Sequence, residues 1–262
     1  MLEEETMNLE IIHEDNDIIL CRKPAGVATQ TRRLGQQDME SLLKNYRAKK
    51  GETPYIGVVH RLDQPVEGIM VFAKNQKAAA GLSKQIQQRM IGKYYYAMSA
   101  SMPVEKEGVL ENYLVTDKKS NYTSVVDAQI PLRNQKDGRQ EARIGNSDIK
   151  KAVLEYKVLS QNEQGTLFDI LLHTGRQHQI RVQMAHMGCP LVGDEKYGAE
   201  EKNGGQDAIV MAEAEFSGQR EREMRKRNDR FLALCSYRLE FAHPTTGKKM
   251  DFSIQPEWEI FG

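Results

Sequence analysis

The sequence predicts an α+β protein, with a single domain built on a largely antiparallel, mixed sheet and flanking helices. Segments with strand-like patterns greatly outnumber segments with helical periodicity, and short turns separate most of them. The 262 residues contain no internal repeat and no Pro- or Ser-rich linker that would mark a domain boundary. We therefore expect one domain over residues 9–256.

The first third of the chain predicts two strands, a helix and a polar loop between two further strands. Residues 11–30 favour two short strands around an Asp-Asn turn, and residues 37–49 favour a short helix. Apolar segments at 56–59 and 69–73 predict strands on both sides of a polar, Pro- and Gly-marked loop. Because loops on a rigid scaffold commonly carry function, this loop is the first candidate site.

The middle of the chain combines one helix with a series of strands. Asn75 is a favourable N-cap for a helix over 76–90, whose apolar residues recur with the 3.6-residue period. Five strand candidates follow, at 93–99, 108–115, 122–130, 152–159 and 166–172. Residues 162–165 predict the hairpin turn between the last two.

Residues 174–190 have the clearest helical pattern in the chain. Thr174 can cap the first turn, Gly188 can close the helix in a left-handed conformation, and Pro190 ends it. The predicted buried stripe consists of Ile180, Met184 and Met187. Residues 199–230 are polar and densely charged and indicate an insertion, and the chain closes with a predicted hairpin that turns at 244–247.

Composition excludes several classes of protein. Lysine plus arginine and aspartate plus glutamate number 37 each, so net charge gives no general attraction to nucleic acid. No segment approaches the roughly 18 apolar residues of a membrane helix. Cys21, Cys189 and Cys235 are widely spaced without a CxxC pair, which argues against a disulfide framework or a zinc site and fits a reducing cytoplasm.

The sequence His60-Arg61-Leu62-Asp63 puts a carboxylate and a guanidinium in the polar loop. In an extended segment residues two apart point the same way, so Arg61 and Asp63 would share one side while His60 and Leu62 anchor the loop from the other. A surface salt bridge at a strand end would have the same sequence.

Five blocks stand in order along the chain: KPAG at 23–26, HRLDQPVEG at 60–68, KYYYA at 93–97, TGRQHQIR at 174–181 and GDEKYG at 193–198. Their order and spacing resemble the RluA-type family of RNA pseudouridine synthases, over about residues 9–256. The resemblance implies the pseudouridine synthase fold and the isomerisation of specific uridines to pseudouridine in ribosomal or transfer RNA, through a flipped-out base. It implies no cofactor and no metal, RNA as the partner and a monomer. The lack of a long apolar segment and the cysteine pattern add the expectation of no membrane and a cytoplasmic location.

The resemblance also assigns roles to residues of this chain. Asp63 matches the essential catalytic aspartate, and both nucleophilic attack and proton abstraction at the ribose remain open. Arg61 would occupy the place of the displaced base or contact the RNA backbone. Tyr95 would stack on the flipped uracil. Arg181 would pair with Asp63 and keep it ionised.

Three further residues are candidates for RNA contacts. Ile180 would pack under the uracil by the same resemblance. Arg176 and His178 lie near the start of the predicted helix, where backbone N–H groups favour anions, although a structural role is nearly as well supported. The resemblance leaves no room before residue 9 for the small RNA-binding domain of many relatives, so target selection would rest on the catalytic domain, aided by the 199–230 insertion.

The chain departs from the family pattern just after Asp63. Gln64 replaces a frequent arginine, and Val66 and Glu67 replace a small polar pair; a carboxylate at Glu67 would weaken RNA binding unless it faces away or is paired. Two alternatives therefore stand beside an RNA pseudouridine synthase. One is a catalytically weak RNA-binding or RNA-folding protein of the same fold, and the other is a hydrolase with His60 and Asp63 as metal ligands.

Overall fold

The structure is a computed structural model that describes residues 9–31, 33, 35–126, 133–134, 140–144, 147–162, 165–198 and 232–258. The predicted insertion at 199–230 lies outside these residues. The described chain forms two compact units, one of residues 9–92 with 236–256 and one of residues 93–235 with 257–258. Thirteen strands and three helices occur in the described residues, and the predicted α+β class is confirmed. None of the described helices is long and apolar enough to cross a membrane.

The first unit contains a sheet with the strand order β1-β2-β4-β12, in which β3 also pairs with β4 and β13 with β12. The elements are β1 Ile11–Glu14, β2 Ile18–Lys23, α1 Met39–Lys49, β3 Gly57–Val58, β4 Glu67–Ala73, α2 Gln76–Gln87, β12 Leu234–Ala242, whose first two residues belong to the second unit, and β13 Lys249–Ser253. All seven residues of β4 are buried, so this strand lies at the centre of the unit. Ile69 and Val71 of β4 pack in one core with Leu82 of α2 and Leu239 of β12.

Short polar side chains determine where the helices of the first unit begin. Asp38 caps α1 by accepting from the Ser41 backbone N–H at 2.8 Å, and the Ser41 hydroxyl accepts from the Asp38 backbone in return. Asn75 caps α2 by accepting from the Ala78 N–H at 2.9 Å. The prediction that Asn75 starts a helix is confirmed, as is the predicted helix over 37–49.

Glu14, at the end of β1, joins three elements of the first unit through its carboxylate. Lys74 donates to it at 2.7 Å, Lys50 at 3.0 Å and the Tyr46 hydroxyl at 2.8 Å. Burial raises the pKa of Glu14, but these hydrogen bonds outweigh burial and lower the pKa to about 2. The carboxylate is therefore ionised throughout the range in which the protein is expected to fold.

The second unit contains an antiparallel sheet with the order β5-β11-β10-β6-β7. Its elements are β5 Gly92–Ser99, whose first residue belongs to the first unit, β6 Glu107–Asp117, β7 Tyr122–Val126, β8 Arg133–Asn134, β9 Gln140–Ile144, β10 Ser147–Asn162, β11 Gly165–Leu172 and α3 Gln179–His186. The predicted strands are confirmed in the described residues, although β7 is described only to Val126. Asn162 pairs with Gly165, so the predicted β10–β11 hairpin is confirmed as well.

The prediction that a helix starts at Thr174 is wrong. The Thr174 hydroxyl instead accepts from the Val153 N–H at 2.8 Å and donates to Gln179 Oε1 at 2.8 Å, so it ties the segment to β10. Helix α3 begins at Gln179, and His178 takes the N-cap position with a left-handed φ of 52°. The predicted end holds, since Gly188 has a φ of 87° and donates to the Ala185 carbonyl at 3.0 Å.

Helix α3 is buried nearly all round rather than along one stripe. Ile180 and Met184 are buried as predicted, but Arg181 and Gln183 are buried too, and Met187 is only half-buried. The Gln183 amide donates to the Leu110 carbonyl and to Asn112 Oδ1, which compensates for its burial. The apolar period therefore located the helix but underestimated how deeply it lies in the second unit.

Candidate active site

The loop that carries Asp63 joins β3 to β4 in the first unit, and two of its residues anchor it. The Leu62 side chain is buried, and its backbone N–H and C=O both bond the hydroxyl of Thr29, at 3.3 and 3.0 Å. His60 Nε2 accepts from the Val71 N–H of β4 at 3.0 Å, so Nε2 carries no proton. Arg61 is exposed and Asp63 is half-buried, as expected of residues on the opposite side of the loop.

Lys23 lies beneath the same loop with its whole side chain buried. Its ammonium donates to the carbonyls of Pro24 at 2.9 Å, Val27 at 2.6 Å and Gln64 at 3.0 Å, which uses all three of its hydrogens. The Gly26 N–H also donates to the Gln64 carbonyl at 2.8 Å, and the Gln64 amide returns a bond to the Gly26 carbonyl at 2.9 Å. The KPAG segment therefore holds the residue that follows Asp63.

The environment of Lys23 combines burial with two nearby carboxylates. Burial lowers the pKa of Lys23 to about 7, while the charges of Asp63 and Glu67 oppose that change. The ammonium is thus attracted by the candidate catalytic carboxylate as well as by three carbonyl dipoles. Lys23 was part of a recognised sequence block, but nothing in the sequence indicated that its charge lies under Asp63.

Glu67 points into the interior of the first unit. Its side chain is 3% exposed and accepts from Arg22 Nη1 at 3.2 Å, and Arg22 also pairs with Glu10 at 2.9 Å and donates to the Gln255 carbonyl at 2.8 Å. Val66 is buried. Two of the three residues that depart from the family pattern are therefore interior side chains, and Glu67 is paired.

Gly68 follows at a position that only glycine can occupy. Its φ is 141°, and a Cβ there would lie 2.5 Å from both the Cβ and the carbonyl oxygen of Ser236 in β12. The close approach of β4 to β12 therefore depends on this glycine, which lies five residues after Asp63.

In the second unit, Tyr95 occupies the middle of β5 opposite Ile170 of β11. Its side chain is buried, whereas Tyr94 and Tyr96 are half-buried, in agreement with the alternation expected of a strand. The aromatic ring of Tyr95 is thus held by the sheet.

Arg181 forms a buried, bidentate ion pair with Asp194. The two bonds run from Nε to Oδ2 at 2.7 Å and from Nη2 to Oδ1 at 2.6 Å, and Asp194 is fully buried. Asp194 Oδ1 also accepts from the backbone N–H groups of Lys196 and Tyr197, each at 3.0 Å. Asp194 therefore orients the guanidinium.

Tyr197 contacts two of the predicted site residues, Arg181 and His178. Its ring lies 5.1 Å from the guanidinium carbon of Arg181, and its hydroxyl lies 2.7 Å from His178 Nδ1. The same hydroxyl accepts from the Thr123 N–H at 3.0 Å, and the tautomer of His178 decides which of Tyr197 and His178 donates in the bond between them. Burial raises the pKa of Tyr197, so the hydroxyl stays protonated. His178 is thereby fixed in orientation.

Sequence comparison identifies the family. A sequence model of RNA pseudouridylate synthases matches residues 17–186, which include every candidate site residue of both units.

The chain belongs to the RNA pseudouridylate synthase family.

Similar curated proteins carry names of the same family. The protein named uncharacterized RNA pseudouridine synthase YhcT of Bacillus subtilis is 34% identical over 74% of this chain and 59% of its own length. Ribosomal large subunit pseudouridine synthase D of Pasteurella multocida is 30% identical over 95% of this chain and 68% of its own length, and that of Pseudomonas aeruginosa is 33% identical over 93% and 67%. The chain thus spans about three fifths to two thirds of these relatives. The predicted family, and with it an isomerase of the RNA pseudouridine synthase type, is confirmed.

A solved structure agrees on the fold. Human RNA pseudouridylate synthase domain containing 4 matches 95% of this chain and 89% of its own chain with a TM-score of 0.67 and 22% identity. The predicted pseudouridine synthase fold is confirmed.

The predicted site residues of this family member are distributed over both units. Arg61 and Asp63 share one loop of the first unit, and the others belong to the second: Tyr95, Arg176, His178, Ile180 and Arg181. Sequence reasoning did not find Lys23, Asp194 or Tyr197, although each is in a block that carried the resemblance. Membership of these sequence blocks could have drawn attention to the three residues. Their contacts could not be predicted in this way, because they join positions that are distant in the sequence.

Proposed function

We propose that this chain converts specific uridines of ribosomal or transfer RNA to pseudouridine, with Asp63 as the essential catalytic group acting on a flipped-out nucleotide. Membership of the family and the names of its relatives support this reaction. The names of two relatives specify the large ribosomal subunit, which makes large-subunit RNA the first substrate to test.

The observation that carries the proposal is the support beneath Asp63. The residue before it is bonded twice to buried Thr29, and the carbonyl of the residue after it is held by buried Lys23 and by Gly26. A group that attacks or deprotonates ribose has to be held in a productive geometry by its neighbours. A plain surface salt bridge would need no such fixation, so this arrangement favours chemistry at Asp63.

The remaining roles follow from chemistry and from family resemblance. Arg61, exposed beside Asp63, would fill the position of the displaced base or bind a phosphate. Tyr95 would stack on the uracil and Ile180 would pack against it. Arg181, oriented by Asp194, would complete the ion pair with Asp63.

Two of the three residues that motivated the alternative of a catalytically weak RNA-binding protein, Val66 and Glu67, give it no support. Glu67 is paired with Arg22 inside the first unit and Val66 is buried, so neither side chain would meet RNA. The hydrolase alternative required His60 as a metal ligand, and the Val71 N–H already occupies Nε2, one of its two ligating nitrogens. Among the described residues, no three or more His, Cys, Asp or Glu side chains are grouped to hold a metal.

The proposal includes a catalytic domain over residues 9–256 that acts as a monomer in the cytoplasm. The three cysteines are buried, free thiols, which suits a reducing compartment. Target selection by the 199–230 segment can be tested by deleting it and comparing the modified positions.

The decisive experiment incubates the protein with unmodified transcripts of large-subunit ribosomal RNA and transfer RNA and maps pseudouridine by carbodiimide-dependent primer stops. Wild type is compared with Asp63→Asn and with a matched control, Glu105→Gln, which removes an exposed carboxylate elsewhere. We expect one or a few modified positions that disappear only in Asp63→Asn. RNA binding without modification in any transcript would favour the binding protein, and full activity of Asp63→Asn would refute the proposed mechanism.

A further inference from the structure

Lys93, the second residue of β5, carries a half-buried ammonium that has no role in the mechanism so far. A Cβ added to Gly175 would lie 3.6 Å from its Nζ, so the side chain extends toward the segment that leads into α3. Burial is the larger cause that lowers the pKa of Lys93, and the positive charge of Arg176 lowers it further. Among the described residues, no hydrogen bond or ion pair compensates for this burial.

Two other lysines of the described chain are buried, and both have acceptors. Lys23 donates to three carbonyls, and Lys74 pairs with Glu14 at 2.7 Å and with Glu52 at 3.2 Å. An ammonium that is removed from water without an acceptor is unfavourable, so such groups are uncommon in folded proteins. Lys93 therefore differs from both, since the acceptor for its hydrogens has to come from a group that binds there.

Lys93 lies on the same side of β5 as Tyr95. Residues two apart in a strand point to the same face, and their Cα atoms are about 6.6 Å apart. Tyr95 is opposite buried Ile170, whereas the half-buried Tyr94 and Tyr96 belong to the other face. The flexible four-carbon stem of a lysine is long enough to span this separation. The edge of a base stacked on the Tyr95 ring would therefore be within reach of the Lys93 ammonium.

The proposed isomerisation places a negative charge on the base before pseudouridine forms. When the bond between uracil N1 and ribose C1′ breaks, its electron pair stays on uracil and spreads over N1, O2 and O4. This holds whether Asp63 attacks C1′ and forms an ester or removes the C2′ proton, because both routes expel uracil as an anion. A cation aimed at this charge stabilises the transition state more than the uncharged substrate.

We propose that Lys93 is a further catalytic residue, whose ammonium donates to a carbonyl oxygen of the detaching uracil and stabilises the negative charge that develops there. The proposal rests on the proposed function, which supplies the uracil and its place on Tyr95. The uracil oxygen is the acceptor that the described chain does not provide at this position.

Lys93 keeps its proton throughout the reaction. The electron pair of the N1–C1′ bond moves to uracil, and an electron pair of the uracil ring later forms the bond from C5 to C1′. The C5 hydrogen then leaves as a proton and N1 takes one up, while Asp63 is regenerated. The ammonium acts only through its charge and its hydrogen bond.

The first test separates the rate of the reaction from the binding of RNA, on a transcript that wild type modifies. Lys93→Met keeps the length of the side chain and removes the charge. We expect its single-turnover rate at saturating enzyme to fall about 100-fold, as for loss of one donor to a developing oxyanion, while the Kd for RNA changes by about twofold or less. Lys93→Arg retains a cation and should recover part of the rate.

Lys157→Gln is the matched control. Lys157 belongs to the same sheet, but it is opposite Asp169, which is itself opposite Tyr96, so it lies on the other face. Its side chain is 67% exposed. The control should change neither the rate nor the Kd.

The departing base provides a second readout. Fluorine at C5 withdraws electrons and stabilises the uracil anion, so the departure of 5-fluorouracil needs less help from the protein. With 5-fluorouridine at the target position, the loss of rate caused by Lys93→Met should be smaller by about tenfold than with uridine. The rate is measured as the disappearance of 5-fluorouridine from nuclease digests of the RNA.

Three results would overturn the proposal. Weaker RNA binding at an unchanged rate would make Lys93 a contact to the RNA backbone instead. Equal losses of rate with uridine and 5-fluorouridine would show that Lys93 does not act on the departing base. A melting temperature of Lys93→Met below that of wild type would indicate a structural role, because removal of an uncompensated charge should not destabilise the protein.

Failure of this proposal is distinguishable from failure of the proposed function. If no transcript acquires pseudouridine, the proposed function fails and the role of Lys93 fails with it. If wild type forms Asp63-dependent pseudouridine and Lys93→Met forms it at the same rate, the role of Lys93 alone fails.

Discussion

Removing the charge of Asp194 should destabilise the protein far more than removing an equally short ion pair at the surface. Asp194→Asn keeps an oxygen for the backbone N–H groups of 196 and 197 but takes from the buried guanidinium of Arg181 the charged partner of its bidentate pair. Loss of one partner of a buried pair costs about 3–5 kcal/mol. At about 2–4 °C per kcal/mol for a chain of this size, the melting temperature should fall by about 6–20 °C.

The matched control is Glu111→Gln, which breaks the pair with Lys151. That pair is as short, at 2.5 Å against 2.6 Å, but the Glu111 side chain is 51% exposed whereas Asp194 is 0% exposed. An exposed pair contributes about 1 kcal/mol or less. Calorimetry and urea denaturation of both variants measure the difference. Arg181→Met and Arg181→Met/Asp194→Asn complete the double-mutant cycle for the buried pair. Equal losses in the two single variants would refute the argument that burial decides the strength of these pairs.

Three further variants test other contacts. Lys23→Met removes the ammonium under the Asp63 loop and should lower kcat for pseudouridine formation by about tenfold or more. The control Lys77→Gln should leave kcat unchanged. An unchanged kcat in Lys23→Met would show that Lys23 does not position Asp63. Glu14→Gln should remove one contribution to acid destabilisation. The folded pKa of about 2 is below the unfolded value of 4.5, so this carboxylate contributes stability above pH 4.5 that is lost as the pH falls to 2. In urea titrations the wild type should lose about 3 kcal/mol more than the variant over this range, and parallel pH profiles would contradict this. Gly68→Ala should lower the free energy of unfolding by at least about 2 kcal/mol, because the new Cβ would lie 2.5 Å from Ser236. The control Gly175→Ala, whose Cβ would lie 3.6 Å from its nearest neighbour, should change it by no more than about 1 kcal/mol. Similar melting temperatures of the two variants would disprove the clash.

Local sequence signals predicted the elements that local interactions build. Asn75 marked the start of α2 because its side chain reaches a backbone N–H only three residues away. The strand patterns located β10 and β11, which one short turn joins. The blocks around Asp63, Tyr95 and Arg181 identified the family, since each block is a continuous run of residues.

The tertiary structure decided the contacts that join distant positions. Thr174 has the side chain of a helix cap, yet its hydroxyl accepts a hydrogen bond from the N–H of Val153, 21 residues earlier. Helix α3 consequently starts five residues later than the sequence predicts. From the sequence, Glu67 would be expected to be an exposed carboxylate. In the structure it is buried and accepts a hydrogen bond from Arg22, 45 residues away.

Sequence patterns alone therefore predicted the fold class and the family correctly, and they supplied the candidate residues of the site. Which charges are buried, and which partners neutralise them, became known from the three-dimensional contacts, as in the pairing of Arg181 with Asp194 and the burial of Lys23 beside Asp63. The physical reason is that capping and periodicity act within a few residues, whereas desolvation of a charge depends on every element packed around it.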